Sequence, residues 1–202
     1  MKISLQNLGK RFNREWIFRH FNYEFISGKS YAITGPNGSG KSTLLQVISG
    51  ASILSEGKVM FENIKDDEVY NHVSIAAPYL ELVEEMTLTE FLHFHSKLKP
   101  WLPAFTAEKI IALTELEKSA NKQIRYFSSG MKQRVKLAQA IFSEVPVVLL
   151  DEPTTNFDED GILLYKNLVN DYCKERLLIV SSNDKQEYNF CDEVIDMREI
   201  KK

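Results

Sequence analysis

At 202 residues, 44% apolar and 26% charged, the chain can bury one substantial core, and it has none of the composition of a disordered or low-complexity segment. A formal net charge of −3 argues against nucleic acid as a direct partner, because phosphate backbones are bound by concentrated Lys and Arg. Two cysteines, Cys173 and Cys191, without metal-type spacing and with no signal peptide, point to a reducing cytoplasm. No apolar run approaches bilayer length, the richest being Val145 to Leu150, so any membrane spans come from another chain.

In chain order, Ile3 and Leu5 alternate with polar residues, a polar stretch Asn7-Leu8-Gly9-Lys10 interrupts, and Trp16-Ile17-Phe18 and Phe21-Asn22-Tyr23-Glu24-Phe25 resume. This period-two patterning predicts short strands of a β-rich N-terminal part. Phe12 is expected in a loop between them, where its ring either stacks on a planar ligand or packs into a core. Ser30-Tyr31-Ala32-Ile33-Thr34 reads as a strand, Lys41 to Ser49 as a helix ended by Gly50, and Ser55-Glu56-Gly57 as a turn into the strand Lys58 to Phe61. Thr87-Leu88-Thr89-Glu90 is a capping box that opens a helix to about Leu98, stopped by Pro100 and Pro103. Thr106 opens another, Ala107 to about Leu116, with Ile110, Ile111, Leu113 and Leu116 as its apolar set. His93 and His95 stand at i, i+2 on different faces of the first helix, which argues against a shared metal. Met131 to Phe142 is a further helix, Val145 to Leu150 a buried parallel strand by composition, and Leu177 to Ser181 another strand.

The stretch Gly35-Pro36-Asn37-Gly38-Ser39-Gly40-Lys41-Ser42-Thr43 fits G-x-x-x-x-G-K-[ST] between a predicted strand and a predicted helix, the context that makes the pattern a phosphate site. Its glycines let successive N–H groups turn round phosphates, and the helix N-terminus adds partial positive charge. Lys41 reaches the β- and γ-phosphates, and the Ser42 hydroxyl is placed for Mg²⁺. Ser128-Ser129-Gly130 precedes the helix from Met131, and small hydroxyl residues there make either an ordinary N-cap or a second anion site. The strand ending at Leu150 delivers Asp151 and Glu152 at its carboxyl end, where ligands bind in open α/β sheets. Asp151 is placed to orient Mg²⁺ and Glu152 to act as general base toward water, with Pro153 biasing Glu152 away from helical geometry.

Taken together, Gly35 to Ser42, Phe127-Ser128-Ser129-Gly130-Met131 and Leu149-Leu150-Asp151-Glu152-Pro153-Thr154 resemble, in order and spacing, the nucleotide-binding subunit of an ABC transporter. The resemblance covers essentially the whole chain. It implies an α/β fold: a P-loop NTPase with a RecA-like parallel-sheet core, an N-terminal antiparallel β subdomain (about 1–30 and 55–64) and an inserted α-helical subdomain (about 82–130), all within one domain, 1–202. It also implies a head-to-tail dimer in which Ser128, Ser129 and Gly130 bind in trans the ATP held by the other subunit's P-loop. Phe12 matches the position that stacks on adenine, and Asn156 and Asp158 fall where the family's D-loop crosses the dimer interface.

The sequence departs from the family in two places. Where a Gln usually touches Mg²⁺ and water, the chain reads Ile75-Ala76-Ala77-Pro78-Tyr79-Leu80-Glu81, leaving Glu81 as the polar substitute. After Leu177 to Ser181 the family's switch His is replaced by Asn183, whose amide nitrogen falls roughly 2 Å short of the far imidazole nitrogen. Intact ATP binding and slow hydrolysis are therefore expected, with Glu152, Asn183 and Lys41 as the catalytic set and ATP and Mg²⁺ as ligands. No Asn-Lys-x-Asp guanine-reading segment occurs, Asn121-Lys122-Gln123-Ile124 not supplying one. The expected partners are a membrane subunit of an ABC transporter and a second nucleotide-binding subunit, identical or not, which places the chain peripherally on the inner face of the cell membrane. Two alternatives stand beside this: a soluble ABC-type ATPase that remodels a protein assembly, and a weakly catalytic ATP-dependent clamp within a heterodimer.

Overall fold

The computed structural model describes residues 1–200. Its strands form two sheets. The antiparallel one contains β1 (Lys2–Phe12), β2 (Glu15–Ile26) and β4 (Glu56–Phe61) in the order β2-β1-β4. The parallel one contains β3 (Ser30–Thr34), β5 (Val73–Ala76), β6 (Val147–Asp151), β7 (Leu177–Ser181) and β8 (Glu193–Asp196) in the order β5-β6-β7-β3-β8. The helices are α1 (Lys41–Ile48), α2 (Val69–His72), α3 (Leu88–Leu98), α4 (Ala107–Leu113), α5 (Ser129–Ile141), α6 (Glu159–Tyr172) and α7 (Lys185–Tyr188). The architecture is the expected mixed α/β one, a parallel core beside an antiparallel sheet.

Alternation along β6 and β7 explains the unbroken apolar runs in their sequences. Val148, Leu150, Leu178 and Val180 face one core, shared with α3, α4, α5 and α6. Val147, Leu149, Leu177 and Ile179 face the other, shared with α1 and the antiparallel strands through Leu44, Leu45, Ile3, Phe18 and Phe25. Every residue of both strands is buried because both faces are covered, the normal condition of a parallel sheet.

Several elements differ from expectation. The N-terminal strands are long rather than short: β1 runs through the polar stretch by shifting register between Leu5 and Leu8, Leu8 and Lys10, and Lys10 and Arg11. Asn7 there takes φ of 48°, and its N–H donates to Asn22 Oδ1 at 2.8 Å, so the polar residues hold an irregular strand instead of ending it. Phe12 is accordingly the last residue of β1, paired with Glu15, and does not lie in a loop. The capping box of α3 forms as predicted, Thr87 N–H donating to Glu90 Oε2 (2.9 Å) and Glu90 N–H to Thr87 Oγ1 (3.3 Å). By contrast α4 stops at Leu113, short of Leu116. Glu115 adopts φ of 56° and Leu116 N–H donates back to the Ile111 carbonyl at 3.0 Å, a left-handed stop made without glycine. β6 starts at Val147, two residues after the predicted Val145.

Ser181, at the end of β7, pairs with Ile33 of β3 on one side and Asp151 of β6 on the other. The ladders continue as Ser182 N–H donates to Ile33 O (3.1 Å) and Glu152 N–H to Ser181 O (2.8 Å). Gly35, Asn183 and Glu152 therefore leave the sheet at one level and on one edge.

Candidate functional site

The helix that follows β3 shares with the four-residue α2 the lack of a side-chain cap, and alone among the helices of eight residues or more it has none. α3, α4, α5, α6 and α7 are each capped by a side chain, from Thr87, Thr106, Ser128, Asp158 and Asp184 respectively. α1 begins after Gly40 with no side-chain cap, so its first backbone N–H groups face outward with no side chain to accept from them. Gly40 takes φ of 100°, and a Cβ there would lie 2.4 Å from the Ile17 side chain, so only glycine lets β2 press against this turn. Gly35 is similarly constrained, at φ of 139° with Ser39 Oγ 2.9 Å from where a Cβ would be.

Lys41 is only 5% exposed, yet it has no carboxylate partner among the described residues. Its Nζ donates to the carbonyls of Gly35 (2.8 Å) and Pro36 (3.5 Å), so the loop wraps its own lysine and leaves one ammonium proton uncommitted. The Ser39 N–H donates to Pro36 O at 3.0 Å and closes the turn. A buried cation beside an uncapped helix end is an anion site held ready by the backbone.

Across β7, Asp151 is 1% exposed and its Oδ1 has no hydrogen-bond partner; Ser39 Oγ and Ser181 Oγ are also buried and unpartnered. Unsatisfied buried polar atoms are uncommon in folded proteins, and Asp151 and Ser181 lie on one rung of the sheet. A carboxylate oxygen so placed suits a divalent cation shared with a phosphate-bearing ligand. No cluster of three or more His, Cys, Asp or Glu side chains that could hold a metal by itself occurs among the described residues.

Glu152 takes φ of 44°, left-handed backbone in a non-glycine residue that precedes proline. The expected departure from right-handed helical geometry is thus more extreme than proline alone would impose. Glu152 and Thr155 line a concavity of about 360 Å³ together with Asn37 and Asn183. Asn183 reaches back to the glycine loop: its Oδ1 accepts from Gly35 N–H (3.1 Å) and its Nδ2 donates to Asn37 Oδ1 (3.3 Å). Thr154, buried behind Glu152, donates from N–H (2.7 Å) and Oγ1 (2.5 Å) to Glu187 Oε1.

The segment after β5 brings Tyr79, rather than Glu81, toward this edge. The Tyr79 hydroxyl is pushed up to about 12 by burial first and by the neighbouring Asp151 carboxylate second, with the Gln46 side chain, one turn after Ser42 on α1, opposing the shift. Glu81 instead lines a separate groove with Lys132 and Lys136. Tyr79 and Glu187 are not picked out by the sequence, nor is Gln133, whose Nε2 donates to the Pro153 carbonyl at 2.8 Å. The only available signal was position: Tyr79 follows a strand that ends beside β6, and Glu187 follows Asn183 by one helical turn.

Phe12 is 50% exposed at the tip of the β1–β2 hairpin, with Lys10 Nζ 4.7 Å from its ring centroid. The same hairpin packs Ile17 against Gly40, so the ring stands on the element that borders the glycine loop. Ser128, Ser129 and Gly130 lie elsewhere. They line a second concavity, about 860 Å³, with Asn156, Asp158 and Arg134, and it shares no residue with the first. A Cβ on Gly130 would lie 3.2 Å from Asn156 O. Ser128 caps its own helix, Oγ accepting from Met131 N–H at 3.2 Å.

Comparison with known proteins gives concordant results. The sequence model described as ABC transporter matches residues 18–155. The uncharacterized ABC transporter ATP-binding protein YybJ of Bacillus subtilis (strain 168) is 30% identical over 96% of this chain and 92% of its own. The cytochrome c biogenesis ATP-binding export protein CcmA of Xylella fastidiosa (strain 9a5c) is 32% identical over 73% of this chain and 68% of its own. Among solved structures, a putative ABC transporter ATP-binding protein from Pyrococcus furiosus superposes with a TM-score of 0.85 at 20% identity, over 100% of both chains. The ATP-binding cassette MJ0796, in a dimeric post-hydrolysis state bound to ADP and Pi, superposes with a TM-score of 0.80 at 25% identity, over 96% of this chain and 93% of that one.

Proposed function

The chain belongs to the ABC transporter family, and from that premise we propose that it is the ATP-binding and ATP-hydrolysing subunit that powers a separate membrane subunit. The observation that carries this reading is the one long helix without a side-chain cap, which begins at a buried lysine and stands on the same sheet edge as Asp151 and Glu152. Relatives named for transport and export favour a transporter subunit over a soluble remodelling ATPase. No helix among the described residues is long and apolar enough to cross a membrane. In this reading the membrane spans are the partner's, and this subunit sits at its cytoplasmic face.

In this reading the N–H groups from Gly38 to Thr43 and the free ammonium proton of Lys41 bind the phosphates of ATP, and Phe12 stacks on adenine. Ser42 and Asp151 would hold Mg²⁺, which neutralises charge on the phosphate oxygens. Glu152 accepts a proton from the water that attacks the γ-phosphorus as the bond to the ADP oxygen breaks. Asn183 fixes the mouth of the loop through Gly35 and Asn37. The helical part, about 82–130, presents Ser128, Ser129 and Gly130 to the γ-phosphate held by a second nucleotide-binding subunit, with Asn156 and Asp158 in the joint. ATP closes the pair, and hydrolysis reopens it.

Purified protein is expected to hydrolyse ATP only with Mg²⁺, and affinity-tagged protein is expected to retain a polytopic membrane protein from detergent-solubilised membranes of its host. An active ATPase that retains no polytopic membrane protein from those membranes would favour the soluble ATPase instead.

A further inference from the structure

Glu187, in the short helix α7, has no role in the proposed mechanism, yet it lines the same concavity as Glu152 and bonds Thr154, two residues further along. Its side chain is 4% exposed and makes no ion pair among the described residues. A carboxylate buried without a cation is costly, and burial raises its pKa, with bonds from Ser182 and Thr154 opposing. Two of those bonds come from Thr154, which donates to Glu187 Oε1 from both its N–H (2.7 Å) and its Oγ1 (2.5 Å). Helix α7 is itself anchored, Tyr165 Oη donating to the Glu187 carbonyl at 2.7 Å.

Thr154 lies two residues after Glu152, and between them is Pro153. Left-handed backbone at a non-glycine residue before proline persists only where the surroundings over-determine it. Here Glu152 N–H is held by Ser181 O (2.8 Å), the Pro153 carbonyl by Gln133 Nε2 (2.8 Å), and Thr154 by Glu187 on two donors. Because Ser181 is fixed in β7, the chain beyond Glu152 is the part free to relax, and Glu187 holds it twice.

We propose that Glu187 is a positioning residue: its buried carboxylate clamps Thr154 and so keeps Glu152 in the left-handed conformation that directs it into the cleft beside Asn183. The proposal rests on Glu152 being the general base. In this proposal Glu187 acts through Thr154 and Glu152, although it borders the same concavity, and nucleotide binding at the glycine loop does not depend on it.

The test compares steady-state Mg²⁺-ATP hydrolysis, equilibrium binding of a fluorescent ATP analogue and thermal melting for wild type, Glu152→Gln, Glu187→Ala, Glu187→Gln and Thr154→Val. Displacing the base by about 1 Å costs up to roughly 10²-fold, so Glu187→Ala is expected to lower kcat by about 10- to 100-fold while KM and nucleotide affinity stay put. Glu187→Gln, which keeps an oxygen acceptor, is expected to restore most of that loss, and Thr154→Val to show a smaller fall in kcat. In the Glu152→Gln background, Glu187→Ala is expected to add nothing, because both changes act through one group. Wild-type kcat in Glu187→Ala, an equal loss in Glu187→Gln, or a joint rise in KM would overturn the clamp. Should Glu187→Ala fail to fold, unchanged kcat in Thr154→Val overturns it equally. Absent wild-type turnover, or normal turnover in Glu152→Gln, would instead strike the assignment of the site, and the clamp with it.

Discussion

The N-termini of α1 and α5 both point at anions in the proposed mechanism, and they are built in opposite ways. α1 starts at a buried lysine wrapped by loop carbonyls, behind two glycines in conformations other residues rarely adopt, and no side chain caps it. α5 starts at an exposed serine that caps the helix itself, beside the exposed Asn156 and Asp158. The first arrangement holds a ligand with groups from one chain. The second is capped by its own serine and, in the proposed dimer, gains a ligand only when another molecule brings it. In the proposed dimer, the difference between a complete site and half of a shared one corresponds to how each helix end satisfies its own N–H groups.

The sharpest way to separate the two ends is to stop the chemistry between them. Glu152→Gln is expected to lower kcat by about 10²–10⁴-fold while leaving both ends intact, so that ATP holds two subunits together. Size-exclusion chromatography with and without Mg²⁺-ATP checks this, a dimer being expected only with nucleotide. Lys41→Ala attacks α1 alone. Losing a charge-assisted hydrogen bond costs about 1.5–3 kcal/mol, so nucleotide affinity measured by titration is expected to fall by roughly 10- to 150-fold with the melting temperature little changed.

Ser128→Ala attacks α5 and is expected to give the converse pattern. The lost cap lowers stability by about 1 kcal/mol in a denaturant titration, monomer nucleotide affinity is unaffected, and dimer formation in the Glu152→Gln background is weakened. The smallest effect is expected from Asn183→Ala, which leaves the Gly35 N–H without its acceptor. A cost of about 1 kcal/mol, or roughly 5-fold in KM for ATP, is expected, with kcat less affected. A loss confined to kcat would place the amide on the water rather than on the loop.

How much of this was legible in the sequence follows the range of the interactions involved. The glycine loop, Asp151 and Glu152 were readable because the motif and the strand before it are contiguous, and the α3 cap because both partners lie within four residues. The strand through Asn7 and Gly9 was misread because its register shifts depend on Asn22, fifteen residues away across the hairpin. α4 was drawn too long because its left-handed stop is Glu115, where sequence rules look for glycine. α6 and the edge strand β8 were not predicted at all. The acidic N-cap Asp158 had been assigned to an interface, and four residues bounded by Glu193 and Asp196 become a strand only through pairing with β3. Tyr79 and Glu187 could not be found locally, since what gives each its place is a residue about seventy or thirty-three positions distant.

β7 lies between the strand that carries the phosphate loop and the strand that carries the carboxylates, with Ser181 bonded to both. The separation of gripping and reacting groups is therefore two strand spacings, roughly 9.5 Å, and peptide groups set it. Side-chain drift along β7 cannot rewrite that length while the strand persists, and neither can insertions in the helices on either face. The fold behaves as a calibrated gauge: the chain can exchange its outward surfaces to suit a new membrane partner and keep the dimension on which ATP chemistry depends.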